Sequence, residues 1–367
     1  MAERPIHRIA INTGGGDAPG LNAVIRAIVL SSLRRGWEVL GIHKGYEGLL
    51  DTSKIIQLNR DSVRGITHIG GTILGTTNKN SPFDYPMKLP NGEMTRVDRS
   101  DEVLESFRRL RIDALIAIGG DGSMKIASRF ADKGLPIVGV PKTIDNDLSG
   151  TVATFGFDTA VMVASEAIDR LHSTAEAHER VMVVEVMGRY AGWIALHSGV
   201  ASTADVILIP EIPFDFDAVC DTINDREARG RRFSMVVVAE GATPVGGEVT
   251  VKNRVIGREA QLGGIAEVVA REITARTGKE TRTVVLGHLQ RGGAPTTTDR
   301  LLALRFGAAA VRMVEARKFN HMVALDPPTV RAVPLEVATS RMKTVPLDSD
   351  IVLTARDLGI SFGDPAS

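Results

Sequence analysis

Residues 9–33 read IAINT, then GGGDAPG through Gly20, then LNAVIRAIVLSSL. The first run is short, apolar and bounded by glycines, which predicts a buried strand over 9–13. Leu21, Val24, Ile25, Ile28 and Val29 recur at helical spacing and predict a helix over 21–33. Strand, glycine turn and helix make the unit from which parallel α/β folds are built. The same unit is an anion site, because unhindered backbone N–H groups and a helix N-terminus face one point. No Gly-Lys-Ser/Thr follows, so it is not a Walker A loop, and the glycines do not fit the GxGxxG spacing of a dinucleotide site.

The pattern recurs down the chain. An apolar run at 114–118 leads into Gly119-Gly120-Asp121-Gly122-Ser123 and a helix predicted from 124 to about 133. Further strands are expected at 37–42, 181–186, 206–211, 234–241 and 283–286. Helices are expected at 101–111, 159–173, around Trp193 and Leu196, and at 264–277 and 299–317. This alternation predicts an α/β chain of two Rossmann-like domains, with largely parallel sheets facing a cleft. The Pro-rich, polar stretch 81–91 is expected to be a surface excursion. The expected division is 1–156 plus about 290–340 for one domain, and 157–289 plus about 341–367 for the other.

At 367 residues the chain is long enough for two cores. Its net charge of zero and few aromatic residues argue against a nucleic-acid binder. Cys220 is the only cysteine, so no intrachain disulfide forms, in keeping with a reducing compartment. The first residues lack the apolar core of a signal peptide and no run is long enough to span a membrane, so the expected location is cytoplasmic.

The strongest chemistry lies in Gly139-Val140-Pro141-Lys142-Thr143-Ile144-Asp145-Asn146-Asp147, which follows the apolar run 135–138. Open α/β sheets place ligands at such strand ends. In an extended segment Asp145 and Asp147 would project to one side. One carboxylate would then accept a proton and the other help hold Mg²⁺. Lys142 and Thr143 suit phosphate oxygens. Taken alone, the Asp-Asn-Asp run is explained as well by Asx turns. Arg180 and Arg282, each beside an apolar strand, would singly be solvated flanks. His288 would be a surface or packed histidine, Glu240 a loop cap and Met187 core filler.

Together these segments resemble the 6-phosphofructokinase family. The resemblance rests on GGGDAPGLN at 14–22, GGTILG at 70–75, GGDGS at 119–123, PKTIDND at 141–147, VEVMGRYAG at 184–192 and LGHLQRGG at 286–293. It implies ATP-dependent phosphorylation of fructose 6-phosphate at its 1-hydroxyl, with Mg²⁺. By this resemblance Asp145 takes the sugar proton, Thr143 and the Gly16 N–H meet the transferring phosphoryl, and Arg189 neutralises developing charge. Asp121 places the metal. The donor lies along Gly15, Gly16, Tyr46, Asn78, Lys79, Gly120, Asp121, Gly122, Ser123 and Lys142. Asp147, Met187, Gly188 and Glu240 serve the sugar, and His288 and Arg291 its 6-phosphate. Arg180 and Arg282 resemble arginines that reach that phosphate from a neighbouring subunit, which implies a homotetramer or a dimer with shared sites.

Departures from the pattern bear on the donor. Gly122 is the residue of ATP users, whereas Lys142 is that of pyrophosphate users, so pyrophosphate is the alternative donor. Asn78 stands where many bacterial members carry an arginine, with Lys79 beside it as a point charge. Leu30 and His172 replace expected arginines of the bacterial effector pocket, while Arg26, Arg60, Arg229 and Arg231 keep its basic character. Among other classes, a dehydrogenase would need an acid at the end of the second strand, where His43 stands. A non-catalytic sugar-phosphate sensor would be expected to lack Asp121 or Asp145.

Overall fold

The computed structural model describes residues 4–79, 81–90, 92–253 and 261–364. In chain order the strands are β1 (Arg8–Thr13), β2 (Glu38–Ile42), β3 (Ile55–Leu58), β4 (Tyr85–Lys88), β5 (Met94–Val97), β6 (Ala114–Gly119), β7 (Ile137–Pro141), β8 (Val181–Val186), β9 (Val206–Leu208), β10 (Ser234–Ala239), β11 (Val251–Asn253), β12 (Gln261–Leu262), β13 (Thr281–Val285), β14 (His321–Asp326) and β15 (Thr329–Pro334). The helices are α1 (Leu21–Leu33), α2 (Glu47–Leu50), α3 (Ser100–Arg109), α4 (Asp121–Asp132), α5 (Phe157–Ala177), α6 (Trp193–Ala201), α7 (Phe216–Ala228), α8 (Ile265–Thr277), α9 (Thr297–Glu315), α10 (Leu335–Ser340) and α11 (Asp350–Asp357). The chain divides into two compact units. One holds Met1–Thr143, Leu148–Gly156 and Arg291–Met342, and the other Ile144–Asp147, Phe157–Gln290 and Lys343–Ser367.

The first unit is a seven-stranded sheet in the order β15-β14-β7-β6-β1-β2-β3. The five strands from β14 to β2 are parallel, and the antiparallel β15 and β3 close its edges. Alternation along β1 feeds two cores. Ile9 and Ile11 pack with Leu21, Ile25 and Phe306 on one face, while Ala10 joins Ile42, Leu115 and Phe130 on the other. A sheet buried on both faces needs near-continuous apolar strands, and β6 is buried at every residue. The helix pair α1 and α9 meets closely at Gly307, where an added Cβ would stand 2.7 Å from both Ala27 Cβ and the Val24 carbonyl oxygen.

The second unit has an all-parallel sheet in the order β13-β8-β10-β9. One of its faces carries a core of Val181, Val183, Leu208, Phe214, Val236 and Ile265 with their neighbours. Among the described residues no helix is long and apolar enough to cross a membrane.

Three local features add to the expectations or change them. The stretch expected to be a surface excursion contains β4, which pairs antiparallel with β5. Its connection runs through Gly92 at φ +89°, where the Leu89 N–H also donates to the Glu93 carbonyl at 2.8 Å. The sequence pair Asn91-Gly92 is a hairpin signal, although Asn91 itself lies outside the described residues. Second, the 124–133 helix begins earlier, so Asp121, Gly122 and Ser123 form its first turn rather than a loop before it. Third, α7 has no counterpart among the expected helices. Its buried residues are Val219, Cys220 and Ile223, and its clearest signal is the N-cap Asp215, whose carboxylate accepts the Asp217 N–H at 2.8 Å.

Candidate active site

In the first unit the sheet order reverses at β1. The chain fills β2 and β3 on one side of it, then β6, β7 and β14 on the other. Open α/β sheets bind ligands outside the carboxyl ends at such a reversal. Gly14–Gly16 leave β1 there and Gly120–Ser123 follow β6. The Gly14 N–H donates to the Ile118 carbonyl at 2.9 Å and the Gly15 N–H to the Thr77 carbonyl at 3.0 Å. Thr76 Oγ1 donates back to the Gly15 carbonyl at 2.6 Å. Asn22, on the first turn of α1, ties down the neighbouring GGTILG loop. Its amide donates to Ile69 O at 3.0 Å and accepts the Ile73 N–H at 2.9 Å. Gly70 is required in that loop because a Cβ there would meet the Gly293 carbonyl at 2.3 Å.

Two cations converge on the glycine turn. Lys142 is buried at the end of β7, and its Nζ donates to the Gly16 carbonyl. Arg291 Nη1 donates to the Asp17 carbonyl at 3.1 Å, with its guanidinium against Gly16. Arg291, expected on the sugar 6-phosphate, stands beside the Gly14–Gly16 turn. The Thr143 carbonyl, just after Lys142, accepts from Thr154 Oγ1 at 2.7 Å. Asn78 and Lys79 are exposed. Tyr46, expected along the donor, packs into the core. It is buried against Phe130, with ring centroids 5.0 Å apart, and burial pushes its hydroxyl pKa up.

Asp121 opens α4, and Lys125 Nζ lies 2.7 Å from its Oδ2. Among the described residues no group of three or more His, Cys, Asp or Glu could hold a metal by itself. Mg²⁺ in phosphoryl-transfer sites is usually held through one or two carboxylates, substrate phosphates and water, and Asp121 could supply such a carboxylate. Gly122 faces open space, with no atom within 4 Å of an added Cβ.

In the second unit the order reverses at β8, between β13 and β10. Met187, Gly188 and Arg189 leave the carboxyl end of β8, Glu240 follows β10, and His288 lies in a short turn after β13. Gly188 has φ +139°, and a Cβ there would meet the Ala191 carbonyl at 2.8 Å. At Gly241 a Cβ would stand 2.0 Å from the Arg189 carbonyl, so glycine lets the Arg189 and Glu240 loops pack backbone to backbone. The Arg189 guanidinium lies 5.1 Å from the Tyr190 ring centroid. Gln290, to which the sequence reading gave no role, is fully buried. It accepts the Met187 N–H at 3.3 Å and donates to the Gly287 carbonyl at 3.1 Å, linking the two strand ends.

Arg180 and Arg282 are not with these residues. They stand at the amino ends of β8 and β13, where both pair with Glu280, at 3.2 and 2.8 Å.

The loop Ile144–Asp147 also belongs to this unit. It is not the extended segment expected. It bends at Ile144 and Asp145, and Asn146 takes a left-handed φ of +51°. Strict alternation between Asp145 and Asp147 is therefore lost. The reason lies in the residue between them, since asparagine tolerates this conformation better than most. The C-terminal segment meets the same loop through Lys343, whose Nζ donates to Asn146 Oδ1 at 2.9 Å. Burial pushes the Lys343 ammonium down to about 8, against the opposing pull of the Asp147 carboxylate. Burial and the Lys343 charge together lower the His197 pKa. Glu211 is raised by burial, although it accepts the N–H groups of Val345 and Gly192.

The family model described as phosphofructokinase matches residues 8–314. A Chloroflexus aggregans protein named ATP-dependent 6-phosphofructokinase is 51% identical over 97% of this chain and 98% of its own length. A Streptomyces coelicolor protein named pyrophosphate–fructose 6-phosphate 1-phosphotransferase is 48% identical over 97% of this chain and all of its own. The crystal structure of Pichia pastoris phosphofructokinase in the T-state superposes with a TM-score of 0.79 at 32% identity. The match covers 92% of this chain and 36% of that longer one. On these grounds the chain belongs to the phosphofructokinase family.

Proposed function

We propose that this chain transfers the terminal phosphoryl group of ATP to the 1-hydroxyl of fructose 6-phosphate, giving fructose 1,6-bisphosphate and ADP. Asp145 accepts the hydroxyl proton as O1 forms its bond to phosphorus and the bond to the ADP oxygen breaks. The Gly16 N–H and the Thr143 hydroxyl hold the phosphoryl oxygens, and Arg189 neutralises the charge that builds on them. Phosphoryl transfer depends on positioning and electrostatics, so this set of groups suffices. Asp121 would hold Mg²⁺, which when bound neutralises donor phosphate charge. Lys142 and Arg291 add positive charge at the glycine turn. Met187, Gly188, Glu240 and Asp147 take the sugar, and His288 its 6-phosphate. Arg180 and Arg282 serve the 6-phosphate in the site of a neighbouring copy, because they lie at the opposite strand ends from Met187 and His288.

The observation that carries the ATP reading is the bare start of α4 at Gly122. A nucleotide can lie against that backbone, whereas an aspartate there would occupy the space and repel the α-phosphate. Lys142 favours pyrophosphate as the second reading, since its ammonium can hold a small polyphosphate without nucleotide contacts. A coupled assay with Mg²⁺, run separately with ATP and with pyrophosphate, decides. A higher kcat/KM with pyrophosphate overturns the ATP reading, and no fructose 1,6-bisphosphate from either donor overturns the kinase.

A further inference from the structure

None of the quoted motifs reaches the last part of the chain, yet that part is bonded to the loops that carry the proposed chemistry. The Lys343 N–H donates to the Asp147 carbonyl at 2.8 Å, and its Nζ donates to Asn146 Oδ1 at 2.9 Å. The Lys343 carbonyl accepts from Trp193 Nε1 at 3.0 Å, and Nζ lies 5.4 Å from the Trp193 ring centroid. Two residues on, the Val345 N–H donates to Glu211 Oε1 at 2.8 Å. Glu211 also accepts the Gly192 N–H, at 3.0 and 3.1 Å to its two oxygens. One short segment therefore joins the Ile144–Asp147 loop to Gly192 and Trp193, which close the loop bearing Met187 and Arg189.

Asn146 is the residue on which this brace acts. It is 4% exposed and left-handed, a conformation of higher energy for any residue with a Cβ. Its backbone angles set the direction in which the chain leaves Asp145. A side-chain tether at this point selects one loop conformation among those open to the Asp-Asn-Asp run. The ammonium is costly to bury, as its lowered pKa indicates, and its bond to Asn146 together with its place over the Trp193 ring offsets part of that cost.

We propose that Lys343 is a positioning residue, which holds Asn146 in its left-handed conformation and thereby aims the Asp145 carboxylate at the sugar hydroxyl. The inference rests on the reading of Asp145 as proton acceptor. Lys343 touches neither substrate nor donor in this role and works through Asn146.

The test is steady-state kinetics on the full-length enzyme with Lys343→Met, Asn146→Ala, the double variant, Lys343→Arg and Asp145→Ser, each checked by thermal unfolding. Misplacing a reacting group by about 1 Å costs up to about 100-fold in rate. Lys343→Met and Asn146→Ala should each lower kcat by roughly 10- to 100-fold, with both KM values within about twofold of wild type. The double variant should lose no more than the worse single one, because both remove the same hold. Lys343→Arg, which keeps a donor, should recover most of the rate. Should Lys343→Met fail to fold, Asn146→Ala reads the same tether with Lys343 still packed on Trp193. A folded Lys343→Met enzyme with wild-type kcat, or multiplicative losses in the double variant, overturns the inference. If that happens while Asp145→Ser is inactive, the reading of Asp145 stands. If Asp145→Ser stays active, it is that reading which fails.

Discussion

The guanidinium of Arg291 lies directly on Gly16: a Cβ built on that glycine would stand 2.9 Å from Nη1 and 3.2 Å from Cζ. The obstructing atoms are the far end of a flexible side chain, so an alanine at 16 displaces the arginine rather than the backbone. Gly16→Ala should fold with a Tm within a few degrees of wild type, as for substitutions outside the core. Its kcat/KM should fall by roughly tenfold or more, because a cation at the glycine turn is moved. Unchanged kinetics would show that the Arg291 position is immaterial to transfer.

Asp145→Ser removes the proposed proton acceptor while leaving the left-handed Asn146 beside it. General-base catalysis contributes about 10²–10⁴-fold, so kcat should fall by at least the lower figure. Fructose 6-phosphate binding, measured by isothermal titration, should change little. A correctly folded variant with near-normal kcat counts against the assignment.

Gly122 offers a test of the donor with little risk to folding, since nothing lies within 4 Å of an added Cβ. Gly122→Asp should keep the wild-type Tm to within a few degrees and lose most of its kcat/KM for ATP. Pyrophosphate, which ends before that position, should be affected far less. Lys142→Gly should leave some ATP activity. Equal loss with both donors would place Gly122 outside donor discrimination.

Arg180 and Arg282 share Glu280 at the amino ends of their strands. If they serve a neighbouring copy, Arg282→Ala should raise the KM for fructose 6-phosphate by roughly 10- to 100-fold, the worth of one charge-assisted phosphate contact. Mixing Asp145→Ser subunits with Arg282→Ala subunits should then restore activity, because hybrids assemble sites with both wild-type residues. Verified hybrids without recovery would argue for sites confined to one chain.

Lys343 makes a pH prediction for stability. Its folded pKa of about 8 lies below the ordinary lysine value of 10.5. Between those two pH values the unfolded chain holds a proton that the folded chain has released. Stability from this group therefore rises with pH across that window. The charged and titratable groups near it are Asp147, His197 and Glu211, and the Lys343→Met comparison isolates the lysine from them. Urea unfolding of Lys343→Met at pH 8 and pH 10 should lack the increment that wild type shows. An identical pH response in the two proteins would mean that Lys343 keeps an ordinary pKa.

Much of this molecule is determined by short-range pattern. Ile9, Leu21, Val24 and Ile28 establish a strand and a helix by spacing alone, because burial on one face imposes a period of two or 3.6 residues. The glycine turns at 14–16 and 119–122 announce themselves for the same local reason, as do the acids within PKTIDND. Other features depend on partners far away in sequence. Spacing suggested that Asp145 and Asp147 share a side, yet the left-handed turn at Asn146 prevents strict alternation, and a lysine 197 residues further on is bonded to that asparagine. Tyr46, placed along the donor by the resemblance, also packs on Phe130, a contact no local pattern announces. Arg291 sits in a motif assigned to the sugar, while its guanidinium lies beside Asp17. Gln290 and Glu211 carry no local signal, since a buried amide or carboxylate matters only through the N–H groups that tertiary packing brings to it. The sequence by itself determined the strands, the glycine turns that follow them and which polar residues stand at those strand ends. Their aim was decided only by the tertiary structure, because it is set by bonds across long stretches of chain that no local period encodes.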